Sequence, residues 1–356
     1  MRVTSLMIYD QIKRSLQQSL SELNEKNLRL ATGKRINKPS DDVSGASKSI
    51  DYKVSIKEME QYKRNIVDTA IQFNFNDKVL TSTGDALVEL KKLASSGLNI
   101  EDREFYSEQA ASQRDFLLGI SNSRLGKRYI FSGFKTDQRS FVYNPVTSRY
   151  DYQGDNGEIK VPVSKDSSVT ANLQGSRVFS FSLSGSNPTS LPDSTPVSYA
   201  ESLNPSTGIN TITVEIGNPG DPDYDTFTLS NIMDLANLLS FAWKGKDVDG
   251  TDLDPSPSVS ETKAMHRIQV LGSLIDDARN QVLTVQSEMG SRSVFMNNQD
   301  SRHSTLISAL QDSLSKTEDA DMTETAVDIK KAETALEALR IASTKIMSES
   351  LFDFLK

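Results

Sequence analysis

Proline is confined almost entirely to the middle of this chain, and this restricts where long helices can form. Ten of the eleven prolines lie between Pro145 and Pro257, and the eleventh is Pro39. Because proline lacks a backbone N–H and clashes with the preceding turn, it breaks helices from within. The flanks are rich in the helix formers Leu, Ala, Gln, Glu and Lys, whereas the middle holds turn sequences such as Gly154–Gly157. We therefore predict a mainly α protein with a β-rich insert, in which the flanks form an elongated helical bundle or coiled coil and the middle forms a β/loop domain.

Composition excludes several classes of site. The 356 residues include no cysteine and only two histidines, His266 and His303, so disulfides, thiolate metal sites and cysteine nucleophiles are excluded. No apolar run approaches the ~20 residues that a membrane span needs, and a net charge of −8 argues against nucleic acid as a partner. We expect a non-enzymatic protein without catalytic residues, cofactor or metal, whose partners include neither nucleic acid nor membrane.

The apolar content is low for a compact domain. Hydrophobic residues make up 36% of the chain and the mean hydropathy is −0.44, whereas typical globular chains reach roughly 45–50% on a similar residue set. We therefore expect an elongated or thin-cored structure.

A heptad pattern marks both terminal segments. Apolar residues recur at alternating spacings of three and four, as on the face that one coiled-coil helix turns towards another. We name this set the assembly seam: Leu6, Tyr9, Leu16, Leu20, Leu23 and Leu30 near the N-terminus, and Met322, Ala326, Ile329, Leu336, Leu339 and Ile346 near the C-terminus. Residues 1–40 include eight basic and three acidic residues, and residues 316–356 include six basic and nine acidic ones, so the two ends should attract each other. An isolated pair would bury little area, so we expect these segments to be disordered in the monomer and to fold on assembly, when neighbouring subunits supply buried surface.

A second periodic set lies inside the flanks. We name it the shaft core and expect it to pack within the chain: Ile66, Phe73, Leu80, Leu87, Ile268, Leu271, Ile275, Val282, Val285 and Met289. Its C-terminal members keep the alternating spacing without a polar interruption, which is the cleanest heptad pattern in the sequence.

Glycines and polar caps predict where the helices end. The first helix should end at Thr32-Gly33, because glycine readily adopts the left-handed C-terminal conformation, and Ser40–Asp42 offers N-cap side chains for the second. A third helix should stop near Gly126. A Ser-, Thr- and Asp-rich break should follow Met289 before the last helix begins.

These boundaries predict three parts. The segments Tyr129–Phe134 and Phe141–Pro145 are predicted to be the two strands of one hairpin. The predicted parts are a terminal helical coiled-coil layer (1–40 and 317–356), a helical shaft with this β-hairpin (41–179 and 258–316), and a surface β/loop insert (180–257).

Two acidic stretches and a basic loop have alternative interpretations. Calcium could bind the alternating carboxylates Asp247, Asp249, Asp252 and Asp254, but their order does not match an EF-hand loop, and a solvated acidic turn is favoured. A second set of acids resembles paired catalytic carboxylates. We instead place these acids before and inside the first turn of the last helix, where the helix dipole favours negative charge. The set consists of Glu318, Asp319, Asp321 and Glu324. The loop Lys34–Lys38 lacks the glycine spacing of a phosphate loop and is interpreted as a joint between helices.

Three motifs resemble the flagellin superfamily. They are Arg2-Val3-Thr4, the run LATGKRINKPSDD from Leu30 to Asp42, and SLFDFL from Ser350 to Leu355. The segment YIFSG at Tyr129–Gly133 adds support. Within the superfamily these motifs are more similar to hook–filament junction proteins than to filament subunits, which tend to carry Ser-Gly-Leu-Arg-Ile where this chain has Thr32–Ile36. The resemblance covers roughly residues 1–179 and 264–356.

The resemblance implies a structural component of the bacterial flagellum that joins hook-side proteins to the flagellin filament through self-assembly of its helical flanks. The implied partners are further copies of the chain in a ring or helical layer, a hook-associated protein on the hook side, flagellin on the filament side, and an export chaperone. It also implies an extracellular location after type III export without a cleaved signal peptide. Two alternatives stay open: a flagellin-type filament subunit, or a secreted adhesin-like structural protein with candidate glycan contacts at Tyr143, Tyr150, Tyr152 and Trp243.

Overall fold

The computed structural model describes residues 2–96, 102–185, 187–205 and 207–354. Within them, the helices are α1 (Arg2–Thr32), α2 (Val43–Ser95), α3 (Arg103–Ser121), α4 (Gly175–Phe179), α5 (Ile232–Trp243), α6 (Pro257–Glu318) and α7 (Met322–Phe354). The strands are β1 (Arg124–Leu125), β2 (Arg128–Tyr129), β3 (Phe141–Asn144), β4 (Arg149–Tyr152), β5 (Lys160–Ser164), β6 (Ser167–Thr170), β7 (Val197–Leu203), β8 (Asn210–Ile216) and β9 (Asp225–Leu229). The prediction of a mainly α fold with a β-rich insert is confirmed. No helix in the described ranges is both long enough and apolar enough to cross a membrane.

The predicted ends of the first two helices agree with the structure. Helix α1 ends at Thr32, and Gly33 has a φ of 69°, which is the left-handed conformation that glycine adopts readily. The Asp42 carboxylate accepts a hydrogen bond from the Gly45 N–H at 2.8 Å and so caps the start of α2. The third helix ends at Ser121 rather than near Gly126, because the side chain of the next residue, Asn122, bonds to the backbone of Phe141 instead.

The predicted break after Met289 is wrong, because α6 continues without interruption to Glu318. Serine and threonine disfavour helix interiors when their hydroxyls compete for backbone groups. Here several hydroxyls donate to the carbonyl oxygen four residues earlier, which is compatible with a helix; they belong to Thr305, Ser308, Ser313 and Thr317. Only residues 319–321 separate α6 from α7.

The chain divides into two compact units. Unit 1 consists of Met1–Gln61 with Ser301–Lys356, and unit 2 consists of Tyr62–Asp300. Unit 1 therefore contains α1, α7, the loop after α1, the first residues of α2 and the last residues of α6.

Unit 2 contains the main apolar core. Within it α2 and α6 run antiparallel: the Lys91 ammonium donates to the Gly272 carbonyl at 2.8 Å, and the Gln286 amide donates to the Asp77 carboxylate at 3.0 Å. All ten shaft-core residues are buried in this cluster. The cluster also takes up residues of the β-rich middle, so the core of unit 2 is shared between helices and small sheets.

A helix forms inside the segment for which the sequence predicts strands and loops. The Asn231 side chain caps α5 by accepting hydrogen bonds from the N–H groups of Met233 and Asp234, both at 3.0 Å. Almost every residue of α5 is buried, and Trp243 at its end packs against Tyr106 of α3 with ring centroids 4.8 Å apart. The helix buries Asp234, Asn237 and Ser240 together with its apolar residues. The sequence interpretation missed it because the prolines and turn sequences on both sides favour strands and loops.

The strands form small antiparallel sheets: β1 with β2, β3 with β4, β5 with β6, and the three-stranded β7-β8-β9. The predicted pairing of Tyr129–Phe134 with Phe141–Pro145 is wrong, since Tyr129 pairs with Arg124 and Phe141 with Tyr152. The cause is a tight turn at Gly133, whose φ is 68°. This turn occupies the backbone between the two predicted strands with local hydrogen bonds, including one from the Lys135 N–H to the Ser132 carbonyl.

Candidate assembly surface

Helices α1 and α7 pack together in unit 1. The Lys26 ammonium lies 3.6 Å from the Asp328 carboxylate, and the Ala320 N–H donates to the Gly33 carbonyl at 2.9 Å. The end of α1 therefore meets the start of α7, and the two helices run antiparallel. The ion pair between Lys26 and Asp328 joins the basic N-terminal segment to the acidic C-terminal segment.

The structure brings only part of the assembly seam into this contact. Ile329 is buried, and Leu16, Leu23, Leu336 and Leu339 are half-buried. The remaining described members are exposed: Tyr9, Leu20, Leu30, Met322 and Ala326. The side chains of Leu6 and Ile346 lie outside the described part of the structure.

The contact face of each helix contains residues that the heptad pattern missed. On α1 the less exposed positions include Ile12, Ser15 and Ser19, and on α7 they include Thr325 and Ser343. Small hydroxyl side chains at a helix contact let two backbones approach closely, but they carry no apolar signal. A search for small residues at the same spacing as Leu16 and Leu23, rather than for apolar residues alone, would have identified this face.

Exposed apolar side chains lie on the outer sides of the pair, among polar and charged residues. On α1, Leu20 is 47% exposed, and Met7 and Leu28 are also exposed; on α7, Ile341 is 63% exposed and Val327 is half exposed. An open groove of about 580 Å³ runs along α7, lined by Val327, Lys330, Lys331, Thr334, Ala335 and Ala338. Each helix thus has exposed apolar side chains outside its contact with the other helix, and these have no apolar partner within the described chain.

A buried carboxylate fixes the joint at the base of the pair. Glu318, the last residue of α6, is 2.5 Å from the ammonium groups of both Lys34 and Lys53, and it accepts a hydrogen bond from the Ser49 hydroxyl at 2.5 Å. Burial alone raises the pKa of Glu318, but the hydrogen bonds from Lys34, Lys53 and Ser49 outweigh burial and lower that pKa to about 2. The joint therefore contains a permanently ionised carboxylate at neutral pH.

The loop between α1 and α2 is fixed to the same joint. The Arg35 N–H donates to the Glu318 carbonyl at 2.7 Å and the Arg35 guanidinium donates to the Thr317 carbonyl at 2.8 Å. The Asp41 carboxylate accepts hydrogen bonds from the N–H groups of Asn37 and Lys38, which lower the pKa of Asp41. The side chains of Lys34 and Arg35 in this loop therefore bind partners within the chain.

The acidic stretches have structural roles. Glu318 ends α6 rather than preceding the last helix, which corrects its predicted position, whereas the Asp321 carboxylate caps α7 by accepting from the Thr323 N–H at 2.8 Å. In the other stretch, Asp247 bonds to Arg267 and Asp254 to Lys263. Among the described residues no group of three or more acids or histidines is arranged to hold a metal ion.

The aromatic residues considered for glycan contact are mostly in the core. Tyr150, Tyr152 and Trp243 are buried, and Tyr143 is exposed. Three of the four candidates therefore lack an accessible ring face for stacking on a sugar.

Comparison with known proteins identifies relatives of the helical flanks. Residues 3–136 match the family model of the bacterial flagellin N-terminal helical region. The chain is similar to flagellar hook-associated protein 3 of Escherichia coli K12, with 28% identity over 184 residues that make up 50% of this chain and 57% of that protein. It is likewise similar to flagellar hook-associated protein 3 of Salmonella typhimurium LT2, with 28% identity over 146 residues, 40% of this chain and 46% of that protein. The chain thus spans about half the length of these relatives.

The fold is similar to that of a solved flagellar protein. The crystal structure of flagellar hook-associated protein 3 from Legionella pneumophila superposes with a TM-score of 0.55 at 18% identity, covering 74% of this chain and 97% of that one. At this identity the likeness establishes the fold.

Proposed function

The chain carries a bacterial flagellin N-terminal helical region at residues 3–136, and on this premise we propose that it is a structural component of the bacterial flagellum that forms the junction between hook-side proteins and the flagellin filament. It acts by assembly and carries out no catalysis. The relatives named flagellar hook-associated protein 3 support this assignment.

The observation that carries the proposal is the set of exposed apolar side chains on both α1 and α7, outside the contact between these helices. Burying one exposed Leu or Ile side chain contributes about 1.5–3 kcal/mol, and the set includes Leu20, Leu28, Val327 and Ile341. A single α1–α7 pair leaves them in water. Packing of several pairs side by side buries them, so the terminal helices form a layer only when copies assemble.

We propose the following division of labour along the chain. Residues 1–40 and 317–356 form the terminal layer through the assembly seam, and residues 41–179 and 258–316 form a shaft held by the shaft core. Residues 180–257 form an insert whose helix α5 packs into the same core. The joint at Glu318 orients the terminal layer at the end of the shaft helix α6.

The partners follow from this assignment. They are further copies of the chain, a hook-associated protein on one side, flagellin on the other, and a chaperone during export. The assembled protein is extracellular and reaches its place without a cleaved signal peptide. These assignments rest on the superfamily relationship together with the exposed apolar side chains of the terminal helices.

Gene deletion distinguishes the junction protein from its main alternative, a flagellin-type filament subunit. Deletion should yield hooks without filaments and flagellin shed into the medium, and the full-length gene should restore filaments. A chain truncated before Met322 should fail to restore them although unit 2 folds. Filaments that persist in the deletion strain, or that disappear without any shed flagellin, would contradict the junction assignment.

A further inference from the structure

Five cations cluster on the surface of unit 2. Arg124, Lys127, Arg128, Lys135 and Arg139 lie within sixteen residues that contain one acid, Asp137. All five are exposed, and none forms an ion pair with another residue of the described chain. In a chain with a net charge of −8, these five cations form a local excess of positive charge, although Asp68 of α2 lines a groove together with Lys127 and Arg128.

Exposed apolar side chains accompany these cations. Phe134 is 64% exposed, and Leu125 at the tip of the β1–β2 hairpin is exposed as well. A groove of about 580 Å³ lies beside the hairpin, bounded by α2 and the β5–β6 sheet, and Lys127 and Arg128 are among its lining residues. We name Leu125, Lys127, Arg128, Phe134 and Lys135 the basic hairpin surface. A surface of this kind suits a partner that presents carboxylates next to aromatic rings.

Helix α3 presents that combination. Its outer side carries Phe105, which is 57% exposed, and Phe116, which is 50% exposed. The two rings are eleven residues apart, about three helical turns, and therefore lie on one side of the helix. Glu104 and Glu108 are exposed beside them and form no ion pair within the described chain. We name Glu104, Phe105, Glu108 and Phe116 the acidic helix face.

The arginines of α3 do not neutralise this face. Arg103 is 2.6 Å from the Glu261 carboxylate, and Arg114 donates to the Asn237 side chain at 2.9 Å as well as to its neighbour Asp115. The helix dipole favours an acid in the first turn, where Glu104 lies. It accounts neither for Glu108, which lies beyond that turn, nor for the two exposed phenylalanines.

The carboxylates Glu104 and Glu108 lie towards the N-terminal end of α3, away from the end that the hairpin follows. The hairpin follows the C-terminal end of α3, and Glu108 lies thirteen residues before that end at Ser121, which corresponds to about 20 Å along the axis. We propose that the basic hairpin surface of one copy docks on the acidic helix face of a second copy. Such a head-to-tail contact uses two different surfaces of each copy and generates rings or helical layers. It deepens the proposed function, on which it rests for the existence of an assembly, by naming the residues of one contact.

Cross-linking tests the contact directly, because the natural chain contains no cysteine. In the full-length double variant K127C/E108C, position 108 lies about 20 Å along α3 from the helix end that the hairpin follows, and a disulfide tolerates at most roughly 7 Å between Cα atoms. Mild oxidation should therefore produce disulfide-linked dimers and higher oligomers only between copies. The matched control is K165C/E108C, which uses the exposed Lys165 of the β5–β6 turn. Cross-linking of K127C/E108C that is no faster than that of the control would overturn the proposal.

Charge reversal supplies a second, independent readout. The triple variant K127E/R128E/K135E should weaken self-association of the full chain, measured by sedimentation equilibrium at low salt, by at least about tenfold. E104K/E108K should weaken it too, and the five changes combined in one chain should restore association because both surfaces exchange sign. The control K78E/K165E/K244E changes the net charge by the same amount at exposed lysines outside the basic hairpin surface. It should retain more of the wild-type self-association than K127E/R128E/K135E does.

The outcomes separate this contact from the proposed function. A wild-type chain that stays monomeric, or a combined variant that fails to recover while its circular-dichroism melting curve matches wild type, contradicts the docking contact. If the docking contact is contradicted in this way, hooks without filaments in the deletion strain would still support the junction function. Conversely, cross-linking at Lys127 and Glu108 together with normal filaments in the deletion strain would support the contact and contradict the function.

Discussion

Substitution of Glu318 by glutamine is expected to destabilise unit 1. Each pKa unit between the folded and unfolded chain corresponds to about 1.4 kcal/mol. A carboxyl whose pKa falls from 4.5 to about 2 would thus stabilise the fold by about 3 kcal/mol at neutral pH. Its two lysine partners are nearly half exposed, so solvent screening reduces the expected loss in Glu318→Gln to about 2 kcal/mol.

The pH dependence has a definite sign. The folded-state pKa of Glu318 lies below its ordinary value, so its stabilisation is complete above pH about 5 and is lost as the pH falls towards about 2. The difference in unfolding free energy between wild type and Glu318→Gln should therefore be largest at neutral pH and shrink through this window. A constant difference would refute the proposed electrostatic origin.

The assay is urea unfolding of the full chain followed by far-ultraviolet circular dichroism. The single tryptophan, Trp243, is buried in unit 2, so its fluorescence in the same titration reports on that unit. Glu337→Gln is the matched control, because Glu337 is an exposed acid of α7 and its change should alter stability by less than about 0.5 kcal/mol. Equal stability of Glu318→Gln and this control at pH 7 would contradict the role assigned to the joint.

Two further predictions concern the core of unit 2, both measured by the urea dependence of Trp243 fluorescence. The guanidinium of Arg267 is buried, forms two hydrogen bonds with the buried Asp225 carboxylate and reaches Asp247 at 3.0 Å, so Arg267→Met should cost about 3–5 kcal/mol by leaving Asp225 unpaired. The exposed Arg279→Met is its control, and a loss of the same size in both would contradict this explanation. Asn76 is fully buried, and neither its amide nitrogen nor its amide oxygen has a partner among the described residues, so Asn76→Leu should stabilise unit 2 by about 1–3 kcal/mol. Destabilisation by Asn76→Leu would indicate that the amide has a bonding role.

The sequence predicted those features that depend on local signals. Confinement of proline to the middle predicted the long helices of the flanks, and Gly33 and Asp42 predicted the end of α1 and the start of α2. The resemblance to the flagellin superfamily, based on short motifs, is supported by the match over residues 3–136. These signals act within a few residues of the position they specify, and so they can be identified without knowledge of tertiary contacts.

Features that depend on tertiary contacts were missed. The sequence does not indicate that Asn122 binds Phe141 and thereby ends α3 early, or that a turn at Gly133 prevents the predicted hairpin. Helix α5 was missed because the prolines and turn sequences on both sides of it favour strands and loops, whereas its burial depends on tertiary contacts such as that of Trp243 with Tyr106. For the terminal helices, the heptad pattern identified apolar positions but not which of them pack within the chain, since that choice depends on small residues such as Ser15 and Ser19.

The most direct test of the account targets the exposed apolar side chains of α1 and α7. In the full chain, L20K/I341K places two charges at such positions, where both side chains are exposed, so the purified monomer should melt at the same temperature as wild type. The control Q18K/A342K places the same charges at exposed positions of the same helices that lie about 160° and 100° around the helix axes from Leu20 and Ile341. After expression in the deletion strain, the amount of each variant in isolated hook–filament particles is measured by quantitative immunoblotting. We predict that L20K/I341K is absent from the particles while the control is retained; incorporation of L20K/I341K at the wild-type level would contradict the claim that assembly buries these side chains.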